Sequence, residues 1–316
     1  MKTQKVYKRS VIDTILKVLL ALFLLLLIIC IIKVFIDCSH VHCDEYTYVD
    51  QTGYLPDEED WDVIPDTIAP YDDDDFDKLL SAVSLEAFFP PIGDQGQYGT
   101  CVAWAAGYNL TTALNAIEKH WTPQDLENPA NQTSPADTWM GISMGLRMPG
   151  CKGTTFEAIF DVLTTKGAAH MDKVPYGGTI NCSGLSNGDV TNKLTRYRHV
   201  IGSTHNNPSP YSDDDLPTLN QIKAYINDTV PLVIAAALGN KFMNWSSSDV
   251  LKDDVKVGAN TMHALHAMAL VGYDDNKHAF RIRNSWGKNW GDEGSIWVDY
   301  DFFINDFCTE VFMAEK

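Results

Sequence analysis

A turn-rich loop running from Pro90 through Gly93, Gly96 and Gly99 stops at Cys101, and a helical pattern begins there. After the cysteine, Ala106, Leu110, Ala113, Leu114 and Ile117 recur at steps of three and four, the spacing of one buried helix face. Cys101 is therefore expected to open a helix. Unsatisfied N–H groups at a helix start favour negative charge, and the thiolate is the reactive form of cysteine. The glycines let the loop bend closely around a ligand. Gln95, six residues earlier, can donate its amide to a developing oxyanion beside the Cys101 backbone N–H.

A second cluster holds a base. Residues 262–273 are rich in apolar types, the turn formers Asp274, Asp275 and Asn276 follow, and a second run extends from Ala279 to Asn284. This reads as a hairpin. With the turn centred near Asn276, Trp286 falls opposite His266 and Asn284 becomes its diagonal neighbour on the same face. An amide oxygen there can hold one imidazole nitrogen, leaving the other for the thiol, as a nucleophile, base and orienter require. The placement predicts a Cys101 thiolate paired with protonated His266 at mildly acidic pH. His263 is the competing base and is read as structural or exposed.

These blocks resemble the papain-like cysteine peptidases: Asp94, Gln95 and Gly96 leading to Cys101; His266 to Gly272 and Tyr273; and Asn284, Ser285, Trp286 and Gly287 with Trp290 and Gly291. The resemblance runs from about Leu85 to the C-terminus. It implies Cys101 as nucleophile, His266 as general base and acid, Asn284 as orienter, Gln95 as oxyanion donor and Trp286 as a shield over the His266–Asn284 bond. Gly150, Cys151, Gly153 and Thr154 are similar to the family's Gly-Cys-x-Gly-Gly substrate-binding strand, with Thr154 in the last glycine's place. That change weakens the expectation of backbone pairing to substrate. Tyr98 stands where many members carry a cysteine, so one family disulfide is absent, and Val102 replaces the usual aromatic. His266 and Asn284 lie 165 and 183 residues beyond Cys101, more than the roughly 130–150 of papain-type spacing. An insertion within residues 183–217 accounts for the excess.

The fold class expected is α+β, a two-lobe papain-like fold behind an N-terminal transmembrane helix. Helical patterns at 101–119 and 155–165 suit one lobe; a helix at 219–227, an apolar strand at 231–237 and the hairpin suit a β-rich lobe. Catalysis then falls at the lobe interface. The expected activity is hydrolysis of peptide bonds in a polypeptide substrate through a cysteine acyl-enzyme, with no cofactor and no metal. Two other readings stay open, a transpeptidase or amidase on the same Cys-His-Asn site and a peptide-binding module with weakened turnover.

Residues 18–32 are an unbroken apolar run of fifteen, extended to nineteen by crossing Lys33 to Ile36. That length suffices to cross a bilayer with Lys33 snorkelling. Lys2, Lys5, Lys8, Arg9 and Lys17 precede it, so the N-terminus is expected in the cytoplasm and the catalytic part in a lumen or outside the cell. No small-residue cleavage site follows. The expected organisation is a basic tail (1–17), a membrane anchor (18–36), an acidic linker (37–83) and a peptidase domain (84–316). Between Asp44 and Asp77 lie fourteen acidic residues and no Lys or Arg, within a net charge of −18. The segment reads as a solvated, self-repelling stalk more readily than as an inhibitory pro-segment, and nucleic acid is excluded as a partner. Cys151 and Cys182 can pair, although connectivity is not fixed by sequence. Of the Asn-x-Ser/Thr sequons at Asn109, Asn131, Asn181, Asn227 and Asn244, the first falls on the nucleophile helix and is expected to be unmodified.

Overall fold

A computed structural model describes residues 52–54, 78–177, 179–201, 219–254 and 264–316. Residues Thr47–Lys316 form one compact unit. The helical lobe is built on a run that is π-wound over Ala103–Thr111 and α-helical over Thr112–Lys119. Thr111 turns its hydroxyl back to the Ala106 carbonyl, five residues earlier, as the wider winding allows. All nine residues of the π-wound stretch are buried. Helices Pro135–Gly141 and Phe156–Thr165 pack against it. Their N-caps, Ser134 and Thr155, each accept an N–H of the first turn.

Among the described residues the second lobe is a sheet of eight strands: β1 (Ala82–Ser84), β2 (Arg196–Ile201), β3 (Leu232–Leu238), β4 (Val250–Leu251), β5 (Ala264–Asp274), β6 (Ala279–Arg283), β7 (Ser295–Asp299) and β8 (Cys308–Glu315). Their order is β2-β8-β3-β5-β6-β7-β4, with β1 added on β5. The pairs are antiparallel except β4 with β7. β3 is buried at every position, which explains its unbroken apolar sequence. The expected hairpin is β5–β6, pairing Leu270 with Ile282 and Ala269 with Arg283. That register carries Trp286 toward His266. The Arg283 guanidinium, buried at the end of β6, donates to Asn109 on the helical run after Cys101 across 3.2 Å and to the Pro90 carbonyl. It ties the two lobes together where the catalytic loops meet. Asn109 is itself buried, which suits the expectation that this sequon is unmodified.

The two-lobe α+β expectation agrees with this architecture, and the transmembrane part is corrected. Among the described residues no helix is long and apolar enough to cross a membrane. A span needs about twenty predominantly apolar residues, and the helical run from Ala103 to Lys119 is both shorter and interrupted by Asn109, Asn115 and Glu118. The membrane anchor, the membrane as a partner and the single-pass topology with a lumenal or extracellular domain are therefore withdrawn. Residues 18–36, where the anchor was expected, lie outside the described residues, as do the basic tail, Cys30, Cys38, Cys43, His263 and most of the acidic segment. A second difference concerns that segment. Thr52, Gly53 and Tyr54, assigned by charge pattern to a solvated linker, are buried against the catalytic unit, and Ala82–Ser84 joins the sheet.

Candidate active site

Two backbone contacts dock the cysteine loop on the segment after β6. Gln95 N–H donates to the Ser285 carbonyl (2.8 Å) and Gly287 N–H to the Gly93 carbonyl (2.9 Å). Cys101 and Gln95 are thereby held next to Asn284, although nearly two hundred positions separate them in the chain. Cys101 begins the helical run, is fully buried, and is not part of a disulfide.

His266 lies on β5 and Asn284 just past β6. His266 Nε2 and the Asn284 side-chain oxygen are 2.8 Å apart. That oxygen also accepts the Ser285 N–H at 2.8 Å, which fixes the amide's orientation. His266 Nδ1 has no hydrogen-bond partner among the described residues. The Cys101 sulfur is within hydrogen-bonding reach of the Ala267 backbone, the residue after His266. Trp286 packs 4.8 Å from the His266 ring and makes edge contacts with Phe242 and Trp290.

Gln95 is fully buried. Its Oε1 accepts from the Ser285 hydroxyl at 2.6 Å, and its Nε2 donates to the Tyr98 carbonyl at 2.7 Å. The Gln95 carbonyl accepts from Tyr176 Oη, which also contacts Thr100 Oγ1. The sequence motif assigns Ser285 no role. Its hydroxyl is what turns the Gln95 amide so that nitrogen, not oxygen, faces the cysteine loop.

Gly153 and Thr154 lie in an irregular segment where Thr154 makes isolated bridges to Tyr54 and Arg147, and Cys151 and Cys182 form a disulfide beside it. The Thr154 side chain does not obstruct the backbone: its hydroxyl folds back to the Leu146 carbonyl at 2.8 Å. The chain's own residues 52–54 occupy the cleft between this segment and β5. Thr154 N–H donates to the Gly53 carbonyl (3.0 Å), and Gly53 and Tyr54 N–H both point at the Leu265 carbonyl (3.3 and 3.4 Å) on the opposite wall. Tyr54 and Thr154 pair as a parallel bridge. Backbone lies on backbone at Gly53, where a Cβ would meet the Gly99 oxygen at 2.5 Å. The Tyr54 backbone also reaches the Cys101 sulfur.

This coverage decides the electrostatics. Burial pushes the Cys101 thiol up to about 12, opposed by backbone N–H groups of Ala267, Val102, Cys101 and Tyr54. Burial pushes His266 down to about 4, opposed by its bond to Asn284. Both shifts favour neutral partners. The expected thiolate–imidazolium pair is thus disfavoured while the cleft is filled, because desolvation outweighs the helix-terminus effect.

The family model described as Papain family cysteine protease matches residues 84–308. Among curated proteins, the chain is 27% identical over 214 residues to the Gamete and mating-type specific protein A of Dictyostelium discoideum, covering 67% of this chain and 41% of that protein. It is 27% identical over 209 residues to Zingipain-2 of Zingiber officinale, covering 65% and 80%. The chain thus spans less than half the length of the first of these relatives. Among solved structures, xylellain, a cysteine protease from Xylella fastidiosa, superposes with a TM-score of 0.64 at 22% identity, over 86% of this chain and 98% of that one. A recombinant stem bromelain precursor gives 0.59 at 18% identity, over 84% and 77%. Identities this low speak for the fold alone.

Proposed function

Because the chain belongs to the papain family of cysteine proteases, we propose that it hydrolyses peptide bonds through a thioester on Cys101, with His266, Asn284 and Gln95 as its catalytic group. The observation carrying this reading is the His266 Nε2–Asn284 bond of 2.8 Å, with Nδ1 left without a partner among the described residues. A ring fixed in this way has one nitrogen held and the other available as base.

In the reaction the Cys101 sulfur bonds to the scissile carbonyl carbon, and the thiol proton passes to His266 Nδ1. The carbonyl oxygen takes up the negative charge and accepts from Gln95 Nε2 and the Cys101 N–H. Collapse breaks the C–N bond as His266 returns its proton to the leaving amine. Water then attacks the thioester, gives a proton to Nδ1 and releases the acid as sulfur takes that proton back. Gly153 and Thr154 align the substrate backbone, and Trp286 keeps the His266–Asn284 bond dry. A peptide enters only when residues 52–54 have left the cleft. The domain assignment follows: residues 84–316 are the peptidase domain, and the preceding acidic segment contributes the cleft's occupant.

The test uses the full chain carrying Gly53→Ala, which introduces a backbone clash with Gly99 and so displaces the segment. An epoxysuccinyl probe should label Cys101 and abolish hydrolysis of a fluorogenic peptide, and adding Cys101→Ala should remove both. Hydrolysis persisting without Cys101 would rule the mechanism out.

A further inference from the structure

Gln95 Nε2 and the Cys101 N–H, the two groups assigned to the developing oxyanion, belong to residues six positions apart on a glycine-rich loop. Tyr98 stands where many family members carry a cysteine, Cys151 is paired with Cys182, and Cys101 is free, so no disulfide braces this loop. Hydrogen bonds must hold the two donors in register. On one side Ser285 takes the Gln95 N–H at 2.8 Å and gives its hydroxyl to Gln95 Oε1 at 2.6 Å. The Gln95 carbonyl is held from elsewhere, by Tyr176 in the segment after helix Phe156–Thr165.

Tyr176 Oη donates to the Gln95 carbonyl at 2.8 Å and lies 2.8 Å from Thr100 Oγ1. A phenol has one proton and a carbonyl can only accept, so the Thr100 hydroxyl is the donor of the second bond. One oxygen thus joins the residue bearing the first oxyanion donor to the residue whose peptide bears the second. The Thr100 carbonyl accepts the Trp104 N–H at 3.1 Å as the helical run begins. Because that peptide is trans and planar, the Cys101 N–H points the opposite way, out of the helix start. The phenol is itself fixed: its ring meets Trp104 edge-on at 4.8 Å and 69°, the Val174 carbonyl accepts the Ser134 hydroxyl at 2.5 Å, and Cys182 is tied to Cys151 six residues further on.

We infer that Tyr176 is a positioning residue for the oxyanion site: its hydroxyl sets the separation and aim of Gln95 Nε2 and the Cys101 N–H without touching a reacting atom. The inference rests on the peptidase reading of the same cleft. Phenylalanine keeps the contact with Trp104 but removes the bridging oxygen, leaving the buried Thr100 hydroxyl without its acceptor. Donors aimed at developing charge lose effect steeply when displaced, and a shift of about 1 Å can cost about 100-fold in rate.

The experiment uses the full chain with Gly53→Ala, alone and with Tyr176→Phe or Thr100→Val. A peptide aldehyde adds the Cys101 S–H reversibly across its C=O, giving a tetrahedral hemithioacetal whose oxygen stands where the oxyanion forms; the matching peptide alcohol binds without adding. Iodoacetamide alkylates the sulfur with loss of iodide and needs no oxyanion donor. Tyr176→Phe should lower kcat and aldehyde affinity by a similar factor, roughly 10- to 100-fold, with KM, alcohol affinity and the iodoacetamide rate held within about twofold. Thr100→Val should give a smaller loss of the same kind. The double variant should lose no more than Tyr176→Phe alone, since both act through one bridge. Unchanged kcat and aldehyde affinity in Tyr176→Phe, or a loss shared equally by alcohol affinity and alkylation as a distorted cleft would give, would overturn the inference. An aldehyde-over-alcohol preference that shrinks in Tyr176→Phe, in a chain that hydrolyses no peptide, would uphold it and sink the peptidase reading instead.

Discussion

The Ser285 hydroxyl and the Gln95 side-chain oxygen are 2.6 Å apart, joining the residue after Asn284 to the loop that carries Cys101. Since Ser285 also gives its N–H to Asn284, one residue orients both the Asn284 amide and the proposed oxyanion donor. Gln95→Ala should lower kcat by roughly 10- to 1,000-fold with little change in KM, as a donor acting on developing charge does. Ser285→Ala should cause a smaller loss of the same kind, and Ser285→Thr should restore part of it. Steady-state kinetics on the Gly53→Ala background checks this; a change confined to KM would show that these groups only position substrate.

Residues 52–54 cover the thiol, so their displacement should change its chemistry. With the cleft filled, Cys101 is pushed up to about 12 and His266 down to about 4, and near neutral pH the thiolate is scarce. Gly53→Ala or Tyr54→Ala admits water, lowers the Cys101 value and raises that of His266. Iodoacetamide alkylation of Cys101 at pH 6–7 should then be at least about tenfold faster than in the parent chain. Equal rates would mean that the segment does not control access.

Asn284→Ala should reduce turnover less than His266→Ala, because the ring loses its orientation but keeps its basicity. Both variants should retain native circular dichroism. A loss in Asn284→Ala equal to that in His266→Ala would imply that the asparagine does more than hold the ring.

Burial of His266 also links stability to pH. Its folded value lies near 4, below the ordinary 6.5, so the unfolded chain binds the extra proton first as pH falls. This contribution is intact above about 6.5 and lost progressively down to about 4, amounting to about 3 kcal/mol. Urea denaturation at pH 7 and 4.5 should show a steeper acid loss in the parent than in His266→Ala. Parallel pH profiles would contradict the assigned burial.

Much of the site was legible because each part has a local signature. The loop-to-helix junction marks Cys101, the turn at Asn276 sets the His266–Asn284 register, and the six-residue interval marks Gln95. Tyr54 and Glu310 had no such signal. They meet across a sequence separation of 256, and a tyrosine among fourteen acidic residues reads as linker because charge pattern describes the average environment of a segment. Three residues held by main-chain bonds escape that average. Thr154 stands where the family's pattern has glycine, yet its hydroxyl finds the Leu146 carbonyl and its N–H donates to the Gly53 carbonyl. The anchor expected from hydropathy has no counterpart among the described helices.

Trapping the acyl-enzyme tests the central claim most directly. The Gly53→Ala chain, mixed with a peptide p-nitrophenyl ester and quenched in acid within its burst phase, should gain the mass of the acyl group on the tryptic peptide containing Cys101. The adduct should disappear on longer incubation with water, and Cys101→Ala should give neither adduct nor burst. Ester or peptide turnover at the parent rate in Cys101→Ala, or an adduct on any other residue, would contradict a thioester on Cys101.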